Sequence, residues 1–164
     1  MKPAFKQLLQ IGIIVRDVDT SVKNFEEKLG MGPWEVSYMC NEGPCEDLKI
    51  DGKPFKGKVS KMAFLHRYGM EFELIEPIGD TPYKEWLDEH GPGIHHIAVV
   101  TEDQYDDVLA KYREEKGSEP WIRGQAMNNL MDFSYLDLRE DLGLIVECYR
   151  NIAPGRPAID YDPK

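Results

Sequence analysis

A chain of 164 residues with 41 % hydrophobic content has the length of one domain, or of two small modules sharing a core. A net charge of −10 and a pI near 4.9, without a basic stripe, exclude the electrostatics of a nucleic-acid binder and disfavour anionic membrane surfaces. Apolar runs such as Ile11 to Val15 and Ile97 to Val100 are too short to span a bilayer, and the start, Met1-Lys2-Pro3-Ala4-Phe5-Lys6, lacks the apolar core of a secretion signal. Cys40, Cys45 and Cys148 are too few and too odd in number for a disulfide framework, so a cytoplasmic protein with no membrane and no nucleic-acid partner is expected. Cys40 and Cys45 also lack the second Cys/His pair of a structural zinc site.

Residues 9–15 read as a buried strand rich in β-branched side chains. Arg16 to Thr20 is a turn with capping residues, and Val22, Phe25 and Leu29 then form the stripe of a helix over 20–29 that Gly30 ends. A strand over 33–40 follows. Residues 41–57, rich in Gly, Pro, Lys and Asp, read as a long loop, and Lys49, Lys53, Lys56, Lys58 and Lys61 as its solvated basic stretch. Strands over 59–66 and 69–76 flank a turn at Arg67 and Tyr68. A short helix over 83–89 sits in a connection rich in proline and glycine. The pattern then restarts: a strand over 94–100, a cap at Thr101 to Asp103, and a helix over 103–116 with Tyr105, Val108, Leu109 and Tyr112 on one stripe, ended by Gly117. Strands near 119–123, 131–138 and 143–149 complete it.

The restart is an internal repeat. Gln10-Ile11-Gly12-Ile13-Ile14-Val15 lies over His96-Ile97-Ala98-Val99-Val100-Thr101 at an offset of 86, and Gly69 to Leu74 over Gly143 to Cys148 at an offset of 74. The difference of 12 residues belongs to the first half, in 41–57. Each half reads as βαβββ, which leaves one sheet face uncovered, so the two must combine to bury a core. One domain is expected over 1–152, made of modules 7–78 and 93–150 joined by a linker over 79–92, with 153–164 as an arm or disordered tail.

Side chains alternate faces along a strand. Leu9, Ile11, Ile13 and Val15 share one face of the first strand, Met70, Phe72 and Leu74 one face of another, and Leu144, Val146 and Cys148 one face of the last. Gln10, Glu71, Glu73, His96 and Glu147 fall on the opposite faces, and His95, of the other parity, reads as a structural residue or a support behind the ligands. Gln10 matches His96 in the repeat and Glu73 matches Glu147, so a pseudo-twofold axis brings these four together. Polar groups converging in an apolar concavity are costly unless paired or metal-bound. Taken singly, His96 reads as a hydrogen-bonded core residue and Glu73 as a solvated strand residue; the repeat turns both toward ligation.

Over residues 8–150 the chain resembles the vicinal oxygen chelate superfamily, also called glyoxalase/bleomycin resistance/dioxygenase. The stretch Glu73-Leu74-Ile75-Glu76-Pro77-Ile78-Gly79-Asp80, followed by Gly91-Pro92-Gly93-Ile94-His95-His96-Ile97-Ala98, is similar to the E-L-L-x-P-x-G and G-x-G-[IL]-H-H-[IV] segments of the methylmalonyl-CoA epimerase branch. The resemblance implies an α+β fold in which two βαβββ modules form a half-open mixed β-barrel with helices outside. It also implies a divalent ion (Co, Mn, Ni, Zn or Mg) on Gln10, Glu73, His96 and Glu147. The epimerase branch has His at the first of these positions. Gln10 instead gives the Gln/Glu/His/Glu set of glyoxalase I enzymes, while the E-L-T-x-N strand of those enzymes is missing.

The activity this implies is isomerisation or epimerisation by removal of the α-proton beside a carbonyl, with Glu147 as base and Glu71 as candidate second acid/base; His66 and the 41–57 segment are alternatives. The partner is a small carbonyl substrate, with a CoA thioester such as methylmalonyl-CoA as one candidate, and relatives suggest a homodimer. A glyoxalase I-like lactoylglutathione lyase is the first alternative, and a non-catalytic small-molecule-binding protein of the resistance type the second. Ring-cleaving dioxygenases use two His and one carboxylate around iron, and only one His is in place here. Trp34, Trp86 and Trp121 read as packing residues rather than cleft walls.

Overall fold

Asp17 opens the first helix by accepting a hydrogen bond from the backbone N of Thr20 at 2.6 Å, and Gly30 closes it in the left-handed region at φ 64°, where a Cβ is disfavoured. Thr81 and Pro82 open the second helix in the same spirit, and Gly117 at φ 66° ends the third. The computed structural model describes residues 4–40, 45–67, 69–126 and 130–151; the tail expected over 153–164 and the side chains of Cys40 and Cys45 lie outside what it describes. In chain order the elements are β1 (Gln7–Ile14), α1 (Val18–Leu29), β2 (Glu35–Cys40), β3 (Cys45–Ile50), β4 (Lys53–Pro54), β5 (Lys58–Arg67), β6 (Met70–Pro77), α2 (Pro82–His90), β7 (Gly93–Val100), a 3-10 turn, α3 (Tyr105–Lys116), β8 (Ile122–Ala126), β9 (Met131–Leu138), the single turn α4 (Arg139–Leu142) and β10 (Leu144–Asn151).

The strands form one mixed sheet in the order β2-β5-β6-β1-β7-β10-β9-β8-β3-β4. It curls into the half-open barrel expected for two βαβββ modules. The first module supplies β1, α1, β2, β5 and β6, the second β7, α3, β8, β9 and β10. Antiparallel pairing of β1 with β7 joins them, and each of these strands pairs in parallel with the last strand of its own module. Both long helices lie outside. Val22 and Phe25 of α1 pack on Val15, Ala63 and Leu74, and Tyr105, Leu109 and Tyr112 of α3 pack on Val99, Leu136 and Cys148. The interior holds Leu9, Ile14, Ile75, Ala98, Tyr135 and Ile145, joined by Tyr83 and Leu87 of α2. Among the described residues no helix is long and apolar enough to cross a membrane.

Four local expectations are corrected. The 41–57 segment contains a hairpin, β3–β4, whose turn Asp51-Gly52 has positive φ at both residues, as a two-residue hairpin turn of the primed type requires. Its β3 pairs with β8 of the other module, a long-range partner that local composition cannot reveal. Next, β8 starts at Ile122 rather than near 119, since Pro120 has no N–H to give the ladder. Leu29, in the last turn of α1, is exposed rather than part of the buried stripe. Last, Leu9 faces inward with Gln10, and His95 inward with His96, because the β1–β7 ladder carries two register shifts, one skipping Leu9 and one skipping His95. An extra residue in a ladder resets the alternation of faces. Leu9 and His95 are themselves 86 residues apart, the repeat offset, so the two bulges are repeat equivalents.

Leu48 of β3 is 1 % exposed within the interior core. Leu48→Ala is expected to lower the unfolding free energy by about 2–5 kcal/mol in urea titration. A loss within about 0.5 kcal/mol, the range of a surface position, would return the segment to a loop.

Candidate metal centre

Two neighbouring rows across the four central strands β6-β1-β7-β10 build the site. One row is Glu73, Gly12, His96, Ile145, and the next is Glu71, Gln10, Ala98, Glu147. The repeat exchanges the rows: Gln10 with His96, Gly12 with Ala98, Glu73 with Glu147 and Glu71 with Ile145. The four residues expected to converge therefore do, and each row keeps a small residue, Gly12 or Ala98, between its two members of that set.

His96 Nε2 lies 3.2 Å from Gln10 Oε1, 3.4 Å from Glu73 Oε2 and 3.2 Å from Glu147 Oε2. All four residues are buried to 1 % exposure or less. Donor atoms of Glu73, His96 and Glu147 lie within 4.8 Å of one another. The Oε2 atoms of Glu73 and Glu147 are buried and make no properly directed hydrogen bond, so their contacts with His96 are electrostatic only. Ligands about 2.0–2.2 Å from a common divalent ion stand about 3.0–3.6 Å apart, which fits these separations. One imidazole nitrogen, two carboxylates and an amide oxygen suit a hard or borderline divalent cation.

Burial raises the Glu73 carboxyl to about 7, although His96 beside it pulls the other way. Burial depresses His96, but the contacts with Glu147 and Glu73 outweigh it and bring the imidazole up to about 9. Without a cation, protons must therefore do part of the work of neutralising this cluster.

Glu71 stands apart from the fourfold set, since its repeat equivalent is the buried Ile145. Gln10 Nε2 donates to Glu71 Oε1 at 2.5 Å, and His66 Nε2 lies 2.8 Å from Glu71 Oε2. The His66 imidazole, half-exposed, is raised by that bond to Glu71. Glu71, His66 and both carboxylates of the centre border a cavity of about 430 Å³ whose walls are largely apolar: Met39, Met62, Phe64, Met131 and Phe133. Tyr135 reaches the same cavity and sets its ring edge-on to His96 at 4.8 Å. None of the three tryptophans borders it: Trp34 packs on Phe25, while Trp86 and Trp121 enclose His95. In the basic stretch, Lys61 pairs with Asp19 at 2.6 Å and Lys58 lies over the Tyr38 ring, leaving a solvated face.

Sequence reasoning passed over two residues. A Cβ on Gly12 would overlap the His96 ring, so Gly12 is the floor on which that imidazole lies. Its repeat partner Ala98, small at the matched position, was the available signal. Tyr135 carried none, since its contact with His96 depends on the β9–β10 register.

The sequence model of the Glyoxalase/Bleomycin resistance protein/Dioxygenase superfamily matches residues 9–135. No curated protein matches the chain by sequence. Among solved structures, a methylmalonyl-CoA epimerase in complex with methylmalonyl-CoA and NH4+ is 21 % identical, with a TM-score of 0.63 over 93 % of this chain and 99 % of that one. A variant of the Streptomyces coelicolor methylmalonyl-CoA epimerase, in complex with 2-nitronate-propionyl-CoA, gives the same identity, score and coverage. The enzyme from Mycobacterium tuberculosis is 18 % identical with a TM-score of 0.63 over 93 % of each chain. At these identities the likeness establishes a shared fold.

Two outcomes test the geometry. Gly12→Ala forces the His96 ring to move and is expected to destabilise the protein by about 1–3 kcal/mol in urea; unchanged stability would mean the ring does not rest there. After chelation, Glu73 and His96 hold protons in the folded state that the unfolded chain gives up. Their contribution to stability therefore falls as pH rises from 4.5 through about 7 for Glu73, and from 6.5 through about 9 for His96. Glu73→Gln should flatten the fall between pH 5 and 7 in urea titrations, and a slope equal to wild type would overturn the assignment.

Proposed function

Because the chain belongs to the glyoxalase/bleomycin resistance protein/dioxygenase superfamily, we propose that it is a divalent-metal-dependent enzyme that removes and returns a proton beside a carbonyl. The observation that carries the proposal is the buried group Glu73, His96 and Glu147, completed by Gln10 and opening on a largely apolar cavity that also holds a second acidic residue, Glu71. The reaction is an epimerisation or isomerisation, and the substrate an acyl-CoA such as methylmalonyl-CoA. That substrate class draws support from the relatives crystallised with methylmalonyl-CoA and 2-nitronate-propionyl-CoA. The unit that acts is one domain over 1–152 with modules 7–78 and 93–150, in a cytoplasmic homodimer.

Gln10, Glu73, His96 and Glu147 would hold the ion. When bound, it supplies a Lewis acid that polarises the substrate carbonyl and stabilises the enolate. The protein's own groups move the proton. Glu147, buried to 1 % exposure at the edge of the cavity, takes it as general base. Epimerisation needs a second group on the far side of the substrate. Glu71 suits that role, because Glu71 and Glu147 end one row across four strands, about 14 Å apart at the backbone at about 4.8 Å per strand. The curl turns both side chains toward one cavity. His66, bonded to Glu71 and half-exposed, links that carboxylate to solvent and can restore its proton. Met39, Met62, Phe64, Met131 and Phe133 would hold the apolar part of the substrate.

One observation favours a second reading. Glutamine in place of histidine at position 10 makes the set resemble that of glyoxalase I, whose hemithioacetal chemistry runs through the same kind of proton transfer.

Elemental analysis should find one divalent ion per chain, lost in Glu73→Ala and His96→Ala. Protein that takes up no Mn²⁺, Co²⁺, Ni²⁺ or Zn²⁺ would refute the metal assignment and favour a small-molecule-binding role. In D₂O the metal-loaded protein should exchange the α-proton of methylmalonyl-CoA, and Glu147→Gln, which keeps an oxygen donor, should slow this by about 10²–10⁴-fold. Turnover of hemithioacetals alone would select the lyase.

A further inference from the structure

We infer that His95 orients His96: His95 Nδ1 accepts the Nδ1–H of His96, and this leaves Nε2 of His96 turned to Gln10, Glu73 and Glu147. The choice of donor and acceptor rests on the metal reading above, while the 3.1 Å contact between the two rings does not. The two Nδ1 atoms are 3.1 Å apart and both rings are buried. Only one of those nitrogens can carry the shared hydrogen. His96 must be the donor, because its Nε2, surrounded by three oxygens at 3.2–3.4 Å, is the nitrogen that a cation would use.

The repeat sharpens the case. His95 occupies the extra position of the bulge in β7, and the equivalent position in β1 holds Leu9. Around His95 stand the rings of Tyr83, Trp86 and Trp121, at centroid distances of 5.2–5.3 Å. Among the described residues no carboxylate pairs with it in this box, and its Nε2 makes no hydrogen bond. A leucine would fill such a box without stranding a polar atom. What an imidazole adds there is the Nδ1 acceptor. Histidines that ligate metals nearly always give their second N–H to an acceptor that sets tautomer and ring angle. Gln10, the equivalent of His96, has its own such partner in Glu71, which takes the amide hydrogen and leaves Oε1 facing the centre. Each module thus orients its first-strand ligand by a different neighbour.

Two measurements decide the matter. Long-range ¹H–¹⁵N spectra of chelated, histidine-labelled protein should show His96 with a proton on Nδ1, alone or together with one on Nε2, and His95 with its proton on Nε2 alone. The reverse pattern overturns the inference whether or not the protein takes up metal. Zn²⁺ titrations against a competing chelator should find His95→Leu about 10- to 100-fold weaker than wild type, with the unfolding midpoint as a check on folding. His95→Asn, which sets an amide oxygen near the place of Nδ1, should retain most of the affinity. Equal affinity of His95→Leu and wild type, or equal losses in both variants, would reject the orienting role. Wild type that binds no Zn²⁺ would count against the metal reading instead, and the spectra would still settle the hydrogen bond.

Discussion

The antiparallel pairing of β1 with β7 is the interaction on which the rest of the structure depends. It joins the two modules, and it sets Gly12 beside His96 and Gln10 beside Ala98. Both strands also run parallel to the final strand of their own module, so one ladder brings Glu73 and Glu147 to the same place from opposite sides. The bulges at Leu9 and His95 belong to this ladder. Each adds one residue and turns two successive side chains inward, so that Leu9 shares the interior with Gln10 and His95 with His96. Without the shift at His95, His95 and His96 would lie on opposite faces of the sheet.

The electrostatics follow from that convergence. Two carboxylates and an imidazole meet in the buried interior, and among the described residues each carboxylate keeps an oxygen without a hydrogen-bond partner. An arrangement of this kind lowers the stability of the empty protein relative to an apolar core, and a divalent cation would turn the same groups into a source of stability. Glu71 is of another kind. It is bonded on both sides, to Gln10 and His66, and faces the cavity from outside the fourfold set. The break in repeat symmetry between Glu71 and Ile145 separates a group suited to proton transfer from groups suited to holding an ion.

The inserted hairpin ties the modules a second time. It leaves the first module after β2 and adds β3 and β4 to the edge of the second module's sheet, with Leu48 reaching the interior core. The cavity itself takes walls from both modules, Met39 and Met62 from one and Met131 and Phe133 from the other. Methionine is unbranched and adapts to irregular shapes, so these walls suit an apolar body more than they dictate its outline.

By itself the sequence determined the two modules, the helix ends at Gly30 and Gly117, and the four converging residues Gln10, Glu73, His96 and Glu147. Each of these is a local pattern or a match between repeats, and period-two alternation sorts polar from packing faces wherever the ladder has no bulge. Only the tertiary structure decided the rest. The pairing of β3 with β8, the contact of Tyr135 with His96 and the inward turn of His95 all depend on register between strands distant in the chain. A ladder that gains one residue reverses every parity argument at that point. Gly12 lies between the two cases: its smallness is written in the repeat, but the reason for it, an imidazole lying where a Cβ would stand, exists only once β1 and β7 are paired.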